Sequence, residues 1–388
     1  MFSYIMSLRG EEIDIDLHSL NLDYTSFIYV NDESGNPVEY KSLYGGESNR
    51  IWVDYQDIPQ YMKDAMVAIE DKRFWEHNGV DWWRTLGAAS NLLSSGGSFG
   101  GSTITQQLIK NLTGDYPALL GLDMMDYTPS RTAFGTSSSA VEKAIEFANK
   151  GGIVTFCWHW NAPTEYLNST ANSPDGWWGG FYTQSSKFDI AKVMNGQDAK
   201  GKKLLDRDIK EIAKQLKRLE KAGVPVIWRP LHEGSGGWFW WGAKGSDAYK
   251  KLWKYLYKEL TNTYGCNNLI WVYNGQSADW YPGDEYVDIV GEDIYPGNHV
   301  YDPQVSRFKQ AINYGSKTKI TALTENGCIF DIDSAVSINA LWSWFMTWGG
   351  EFTVNGSNYS EKYTEKSVIQ KMYASKYSLT LGSLPKIY

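Results

Sequence analysis

Seven short apolar runs alternate with amphipathic helical segments beyond residue 115, and this alternation limits the folds open to the chain. The runs, each short enough to be one buried strand, are Ala118–Met124, Gly152–Trp158, Val224–Leu231, Leu269–Tyr273, Val287–Val290, Ile320–Leu323 and Trp342–Thr347. The helical segments between them include Ala140–Asn149, Asp206–Ala222 and Ala248–Tyr264. Continuous apolar strands separated by helices are typical of a parallel sheet with helices on both faces. The sequence therefore predicts an α/β fold.

The spacing of two glutamates favours a closed barrel over an open sheet. Glu233 and Glu325 each lie two residues beyond an apolar run, and they are 92 residues apart. That distance is close to three β/α units of roughly 30 residues, as expected in a (β/α)8 TIM-like barrel. An open doubly wound sheet is the alternative, but no glycine-rich phosphate-binding turn follows the first run. Only seven strands are found, so the predicted barrel lacks one.

Charge and cysteine content exclude several classes of function. The 388 residues carry a formal net charge of -8, which argues against a nucleic-acid groove or an anionic membrane surface as partner. Cys157, Cys266 and Cys328 give neither a disulfide framework nor a metal-binding spacing, and we expect no cofactor. Met1–Asp16 lacks the sustained apolar segment of a secretory signal, and no run is long enough to cross a bilayer. We therefore expect a cytoplasmic protein.

The two glutamates are predicted where buried strands surface, which is where barrel enzymes carry their catalytic groups. A glutamate at such a position is ordinarily a salt-bridged structural residue, and the dipeptide His232-Glu233 alone means little. Tryptophans crowd the loop after Glu233, however, and Glu325 lies at a matching strand end. Two carboxylates about 5 to 5.5 Å apart serve as acid/base and nucleophile in retaining glycoside hydrolases. Arg229, in the run before Glu233, would favour the ionised form of the nucleophile.

Aromatic residues make up 15% of the chain, including 18 tryptophans, and several follow predicted strands. His159, Asp293, Tyr295 and Trp348 lie at or just beyond strand ends. Each alone is more often a core residue than a ligand. Convergence of several strand ends at one barrel mouth favours contacts with sugar rings, because their apolar C–H faces stack on aromatic rings. The pattern predicts a carbohydrate site at the barrel mouth.

Several motifs beyond residue 114 resemble glycoside hydrolase family 26, whose best-known members are endo-β-1,4-mannanases. The motifs are PALLGLDMMDYTPSR (117–131), GGIVTFCWHWNAP (151–163), WWGGFYT (177–183), VPVIWRPLHEGSGGWFWWG (224–242), DIVGEDIYP (288–296), LTENG (323–327) and WSWFMTW (342–348). The resemblance implies a retaining enzyme with Glu233 as acid/base and Glu325 as nucleophile. It also implies substrate subsites built from His159, Trp178, Arg229, His232, Trp238, Asp293, Tyr295 and Trp348. Other members cleave β-1,3-xylan or mixed-linkage glucan, but WHWNAP followed by WWGGFYT is most similar to the mannanases, which implies β-mannan as the substrate.

The first 115 residues resemble a different family. IPQYMKDAMVAIEDKRFWEHNGVDWWRT (58–85) and GGSTITQQLIKNLTGD (100–115) are similar to the peptidoglycan glycosyltransferase module of class A penicillin-binding proteins, family 51 of the glycosyltransferases. This resemblance implies a catalytic base at Glu70 and a donor-side motif at Gly101, Ser102, Thr103 and Gln106. The later motifs of that family, with a second essential glutamate, are missing. We therefore expect domains at 1–115 and 116–388, without glycosyltransferase activity.

Transferase-like sequence stands where family 26 should have its first barrel strand and the helix before the PALLGLD strand. A barrel that lacks one strand has two unpaired edges. The N-terminal segment could supply a substitute strand, with Ser26–Val30 or Ile51–Tyr55 as candidates, or two copies could exchange a strand in a homodimer. If nothing fills the gap, the chain would be an impaired chimera that only binds carbohydrate.

Overall fold

The computed structural model of the chain describes residues 26–31, 37–43, 57–61, 101–171, 173, 175–355 and 358–386. Its contacts divide the chain into two compact units, Met1–Gly87 and Ala88–Tyr388. The second unit therefore includes part of the segment that the sequence analysis assigned to the first domain. The boundary expected at residue 115 marks a change of sequence resemblance. The division between the two compact units falls earlier in the chain, after Gly87.

The described part of the first unit is mainly a β-hairpin. Strand β1, Ser26–Asn31, pairs antiparallel with strand β2, Pro37–Leu43. The prediction of Ser26–Val30 as a substitute barrel strand is wrong, because β1 and β2 form a two-stranded sheet separate from the barrel sheet. The other candidate, Ile51–Tyr55, lies outside the described residues.

The second unit contains a seven-stranded parallel sheet that forms a nearly closed barrel, as the sequence predicts. Its strands β3 to β9 follow one another in chain order: Leu119–Asp123, Ile153–Cys157, Val226–Arg229, Leu269–Tyr273, Ile289–Ile294, Ile320–Asn326 and Phe345–Thr347. Each strand pairs in parallel with its neighbours in the sequence. The strand order never reverses, so it has no switch point and excludes the doubly wound alternative.

Helices connect the strands. In chain order, α1 to α9 are Gly101–Thr113, Pro129–Thr132, Ala140–Asn149, Ile190–Met194, Ala199–Lys221, Ser246–Lys258, Val305–Ala311, Ile332–Ser337 and Lys366–Ala374. A π-helical stretch, Glu259–Thr263, extends α6, and a small hairpin pairs β10, Val354–Asn355, with β11, Asn358–Tyr359. Helix α5 begins earlier than the predicted residue 206, because Asp198 caps it by accepting a hydrogen bond from the N–H of Gly201.

Inward-facing residues form layers across the barrel. One apolar layer takes a residue from each strand or its immediate flank: Leu119, Ile153, Ile227, Val272, Ile289, Ala322 and Trp344. Because side chains alternate along a strand, the residues two positions further on also face inward. At that level four strands carry buried polar side chains, Thr155, Arg229, Asn274 and Thr324. The polar site is therefore built above an apolar floor.

Among the described residues, the first and last strands of the nearly closed barrel do not pair through their backbones. Strand β3 pairs with β4, and β9 pairs with β8. The thioether of Met346 in β9 packs on Gly121 of β3, where an added Cβ atom would lie 2.1 Å from the sulfur. A larger residue at this position would displace the flexible end of the Met346 side chain. Within the part of the chain that the structure describes, side-chain packing thus brings β3 and β9 together in place of backbone pairing.

Helix α1, whose sequence is GSTITQQLIKNLT, packs as part of the barrel unit. Ile109 is buried in an apolar cluster with residues of β8, α8 and α9, and Leu112 packs against the same cluster. Gln370 in α9 donates a hydrogen bond to the carbonyl of Leu112 at 3.1 Å. The helix begins at Gly101, inside the motif GGSTITQQLIKNLTGD (100–115). The transferase-like segment therefore supplies the helix that precedes β3.

Candidate active site

Glu233 lies in a sharply turned loop after strand β5. Leu231 and Glu233 both have a φ of 52°, a left-handed conformation that residues other than glycine rarely adopt. Two hydrogen bonds hold this path: the N–H of Glu233 donates to the carbonyl of Asn274 at 2.7 Å, and Trp241 Nε1 donates to the carbonyl of His232 at 2.9 Å. The loop thereby fixes the backbone of Glu233 at the barrel mouth.

Glu325 and Asp293 lie side by side at the ends of β8 and β7. The register of these strands shifts after Glu292, which places Asp293 opposite Glu325. One carboxylate oxygen each of Glu233, Asp293 and Glu325 lies within 4.8 Å of the other two. The structure therefore brings the two predicted glutamates together, with a third carboxylate beside them.

Arg229 supplies a buried positive charge to these carboxylates. Its Nη1 donates to Asp293 at 2.9 Å and to Asn274 Oδ1 at 3.1 Å, and its Nη2 forms an ion pair with Glu325. Burial alone would lower the pKa of Arg229, but the charges of Asp293 and Glu325 outweigh burial and raise it. The guanidinium therefore stays charged and fixes the positions of both carboxylates.

The carboxyl group of Glu233 lies in surroundings that favour its protonated form. Burial raises its pKa, and the negative charge of Glu325 raises it further. A hydrogen bond from Trp238 Nε1 to Glu233 Oε2, 2.8 Å long, acts in the opposite direction. The net shift of the pKa is upward, which suits a group that gives a proton near neutral pH.

Two aromatic side chains extend the site toward solvent. Tyr295 donates its hydroxyl to Glu325 Oε2 at 2.7 Å, and burial together with the charge of Glu325 raises the pKa of that hydroxyl, so it remains a donor. Tyr295 is 44% exposed and Trp238 is 46% exposed, although eight tryptophans of the same unit are buried. Exposed aromatic rings beside paired carboxylates suit the apolar faces of sugars.

His159 and His232 face each other at the ends of β4 and β5. Their Nε2 atoms are 3.2 Å apart, and Nδ1 of His159 lies 2.6 Å from Oδ2 of Asp123. The ring of Trp348 lies beside His159, with centroids 5.8 Å apart. The N–H of Trp348 donates to the carbonyl of Asn326 at 2.9 Å, which holds it at the end of β8. The structure therefore brings these three predicted residues into one cluster.

The described contacts of Trp178 lie outside the carboxylate cluster. It lies in the short 3-10 turn Trp177–Gly179, and its carbonyl accepts a hydrogen bond from Arg131. The neighbouring Trp177 stacks on Phe134, with ring centroids 4.8 Å apart. Within the described part of the chain, no hydrogen bond or ring contact joins the Trp178 indole to the carboxylate cluster. A role for Trp178 in substrate binding stays a prediction.

Two groups of potential metal ligands occur among the described residues. One consists of Asp123, Cys157 and His159, and the other of Glu233, Asp293 and Glu325. In the first group, the 2.6 Å between Asp123 and His159 is a hydrogen-bond distance, too short for two tetrahedral ligands of one zinc ion. In the second group, Arg229 pairs with Asp293 and Glu325, and Trp238 Nε1 donates a hydrogen bond to Glu233. Hydrogen bonds and ion pairs therefore account for both groups.

Asp123, Asn274 and Thr324 join the site although the sequence analysis did not select them. Asn274 Nδ2 donates to Thr324 Oγ1 at 3.0 Å, and that hydroxyl donates to Asp293 Oδ1 at 2.7 Å. Asp123 ends β3 and Asn274 directly follows β6, so the rule that selected Glu233 would have found both, whereas Thr324 lies inside β8 next to Glu325. Short polar residues are also common in turns, and this made their signal weak.

The transferase-like motif takes no part in this site among the described residues. Glu70 lies outside the described residues. Gly101, Ser102 and Thr103 form the start of α1, and Gln106 lies half-buried in the same helix. The donor-side motif is therefore built into a helix of the barrel unit.

A parallel barrel with two close glutamates and an arginine at the carboxyl ends of its strands is the arrangement found in the barrel glycoside hydrolases. The comparison with known families agrees. Residues 76–383 match the model of glycosyl hydrolase family 26, and the chain belongs to that family.

Relatives of both parts of the chain are known. A mannan endo-1,4-beta-mannosidase of Thermothelomyces thermophilus is 46% identical over 281 residues, covering 72% of this chain and 55% of that protein. The crystal structure of the Podospora anserina GH26-CBM35 beta-(1,4)-mannanase superposes with a TM-score of 0.67 at 44% identity, covering 72% of this chain and 61% of that one. Penicillin-binding protein 1A of Clostridium acetobutylicum is 40% identical over 104 residues, 26% of this chain and 12% of that protein.

The chain spans about half the length of the curated mannosidases that it matches first. None of the helices in the described part of the chain is long and apolar enough to cross a membrane.

Proposed function

We propose that the chain is a retaining endo-β-1,4-mannanase. The observation that carries this proposal is the unequal environment of two close glutamates. Glu325 is ion-paired with Arg229 and accepts a hydrogen bond from the hydroxyl of Tyr295. Both contacts favour its carboxylate form. Glu233 has a raised pKa, which favours an acid. Their oxygens lie within 4.8 Å, nearer to the roughly 5 to 5.5 Å of retaining enzymes than to the 6.5 to 9.5 Å of inverting ones.

The reaction then has two displacements. Glu325 attacks the anomeric carbon while Glu233 gives its proton to the leaving glycosidic oxygen, and a covalent glycosyl-enzyme forms. Glu233, now ionised, takes a proton from a water molecule that attacks the same carbon and releases Glu325. Arg229 and Tyr295 orient the nucleophile throughout, and His159, His232, Trp238, Asp293 and Trp348 line the sugar subsites.

The preferred substrate is β-mannan, including glucomannan and galactomannan. The names of the relatives support this choice, since the aligned proteins are mannan endo-1,4-beta-mannosidases. Xylan or mixed-linkage glucan is the second candidate within the same family. The exposed rings of Trp238 and Tyr295 support binding of any β-linked chain, so the polysaccharide panel below decides between them.

The segment 1–115 is proposed to be a remnant of a peptidoglycan glycosyltransferase without activity of its own. The partial match to penicillin-binding protein 1A supports its origin. We expect no polymerisation of lipid-linked peptidoglycan precursor by the purified chain. The cytoplasmic location also stays a prediction.

The test is release of reducing sugar from β-1,4-mannan, β-1,3-xylan and mixed-linkage glucan by the full chain. We expect release from mannan, with Glu325→Ala and Glu233→Ala each slower by roughly a thousandfold or more. Glu361→Ala, which removes an exposed glutamate paired with Lys366, is the matched control and should be fully active. Proton NMR of the first product should show the β-anomer. Oligosaccharide binding without release would mean that the chain is only a carbohydrate-binding chimera.

A further inference from the structure

Asp123 begins a series of hydrogen bonds that ends beside Glu233. Its side chain is buried at the end of β3. Oδ1 accepts hydrogen bonds from the N–H of Met125 at 2.9 Å and the N–H of His159 at 3.1 Å, while Oδ2 lies 2.6 Å from His159 Nδ1. On the other side of that imidazole, Nε2 lies 3.2 Å from Nε2 of His232, the residue before Glu233.

We propose that Asp123 is a positioning residue, which orients His159 and keeps it positively charged beside His232 and Glu233. The proposal rests on the hydrolase function given above and extends it to a residue that acts through His159.

The hydrogen-bond geometry limits where the protons on the two imidazoles can lie. A carboxylate only accepts, so Nδ1 of His159 carries a proton, and between the two facing Nε2 atoms one must donate. Burial and the nearby Arg229 lower the pKa of His232 well below its usual value, so His232 is neutral, and in the proposed arrangement its Nε2 accepts from the Nε2–H of His159. Burial acts on His159 in the same direction, but the charge and hydrogen bond of Asp123 outweigh it and raise the pKa. With its Nδ1–H donating to Asp123 and its Nε2–H donating to His232, the proposed state of His159 is the imidazolium.

Groups from four strands act on this imidazole. Asp123 on β3 and Glu325 on β8 favour its positive charge, whereas Arg229 on β5 opposes it. The sulfur of Cys157 on β4 lies 3.9 Å from Nδ1, and burial raises the pKa of that thiol, so it is neutral. The remaining neighbours are aromatic rings, those of Phe181, His232, Phe239 and Trp348. Of the described residues, Asp123 is thus the anion in direct hydrogen-bond contact with His159.

The charge on His159 reaches the chemistry through Glu233. Burial and Glu325 raise the pKa of Glu233, and the charge of His159 opposes them. A general acid works best when its pKa lies near the operating pH. A cation at His159 therefore keeps the pKa of Glu233 from rising too far for efficient proton transfer.

The variant Asp123→Asn removes the negative charge of the side chain while keeping its size and shape. The two backbone N–H groups need an acceptor, so the amide oxygen takes the place of Oδ1 and the NH2 group faces His159 Nδ1. A donor at that position excludes a proton on Nδ1, so His159 becomes neutral, and its Nε2–H still reaches His232. The variant deletes the charge and keeps the hydrogen bonds.

The first measurement is an NMR titration of the wild-type protein labelled with ¹⁵N-histidine. We expect one of its five histidines to keep both ring nitrogens protonated at pH 8, about 1.5 units above the usual pKa, and the signal to become a neutral Nε2–H form in Asp123→Asn. Five neutral histidines in the wild-type protein at pH 8 would overturn the proposal, whether or not the variant folds.

The second measurement is the pH dependence of kcat/KM on a soluble manno-oligosaccharide. Activity falls at alkaline pH as the acid loses its proton, and in Asp123→Asn this fall should move up by about one pH unit, because the pKa of Glu233 is higher without the nearby cation. We also expect kcat/KM at the optimum to drop about tenfold.

Asp208→Asn is the matched control, since Asp208 is also buried but pairs with Arg207 and Trp160. In this variant kcat/KM should fall at the same alkaline pH as in the wild-type protein. A purely structural role of Asp123 would lower activity without moving the alkaline fall, and that result would contradict the proposal. If the protein released no sugar, the proposed function would fail, whereas the NMR titration would still decide the charge on His159.

Discussion

Arg229 and Tyr295 each bind a different oxygen of Glu325. Tyr295→Phe removes the 2.7 Å hydrogen bond to Oε2 and leaves the ion pair with Arg229 in place. A hydrogen bond to a charged group contributes about 1.5 to 3 kcal/mol, so kcat on mannan should fall roughly 10- to 100-fold with the fold intact. Tyr281→Phe removes a similar tyrosine–carboxylate hydrogen bond, 2.9 Å to Asp284, and should leave kcat unchanged. Equal losses in both variants would mean that the tyrosine hydroxyl has no special role at Glu325.

For single residues, the sequence predicts which side chains lie at the barrel mouth better than it predicts their hydrogen-bond and ion-pair partners. Glu233 and Glu325 were found because each follows an apolar run. The pairing of Asp123 with His159 was missed, since it joins positions 36 residues apart through the register of β3 and β4. The contact of Arg229 with Asp293 likewise depends on the register shift after Glu292, which no local pattern reveals.

Helix α1 shows that an element can change context and still fold. Ile109 is 6% exposed and packs with β8, α8 and α9, so Ile109→Ala should lower the free energy of unfolding by about 3 kcal/mol. Asn111→Ala alters an exposed position of the same helix and should change the free energy of unfolding by less than about 0.5 kcal/mol. Chemical denaturation of both variants measures the difference. Similar stabilities would show that α1 is not part of the barrel core.

The sequence predicts the seven strands and the long helices because their apolar periodicity is local. It does not predict that transferase-like sequence becomes a barrel helix. Ile109 and Leu112 are spaced for one face of a helix whatever the origin of the segment, and only their packing against β8 and α9 shows what that face covers.

The seven described strands leave two edges of the barrel sheet, at β3 and β9, that the whole molecule must cover. Among the described residues, β3 and β9 meet through Gly121 and Met346 rather than through backbone pairing. Unpaired edges favour association with another chain, which keeps a strand-exchanged homodimer as a prediction. Light scattering across a range of protein concentrations measures the mass in solution. A monomer at every concentration would exclude such exchange.

Two truncated chains separate the contributions of the N-terminal residues. A chain of residues 101–388 keeps α1, whereas a chain of residues 116–388 exposes the apolar cluster that Ile109 and Leu112 cover. We expect the longer chain to unfold cooperatively and to hydrolyse mannan like the full protein, and the shorter one to aggregate or to lose both properties, because burial of that surface is lost. Failure of the longer chain while the full protein is active would mean that residues 1–100 complete the barrel, with Ile51–Tyr55 the first segment to mutate. Full activity of the shorter chain would show instead that seven strands close the barrel without any help from the transferase-like sequence.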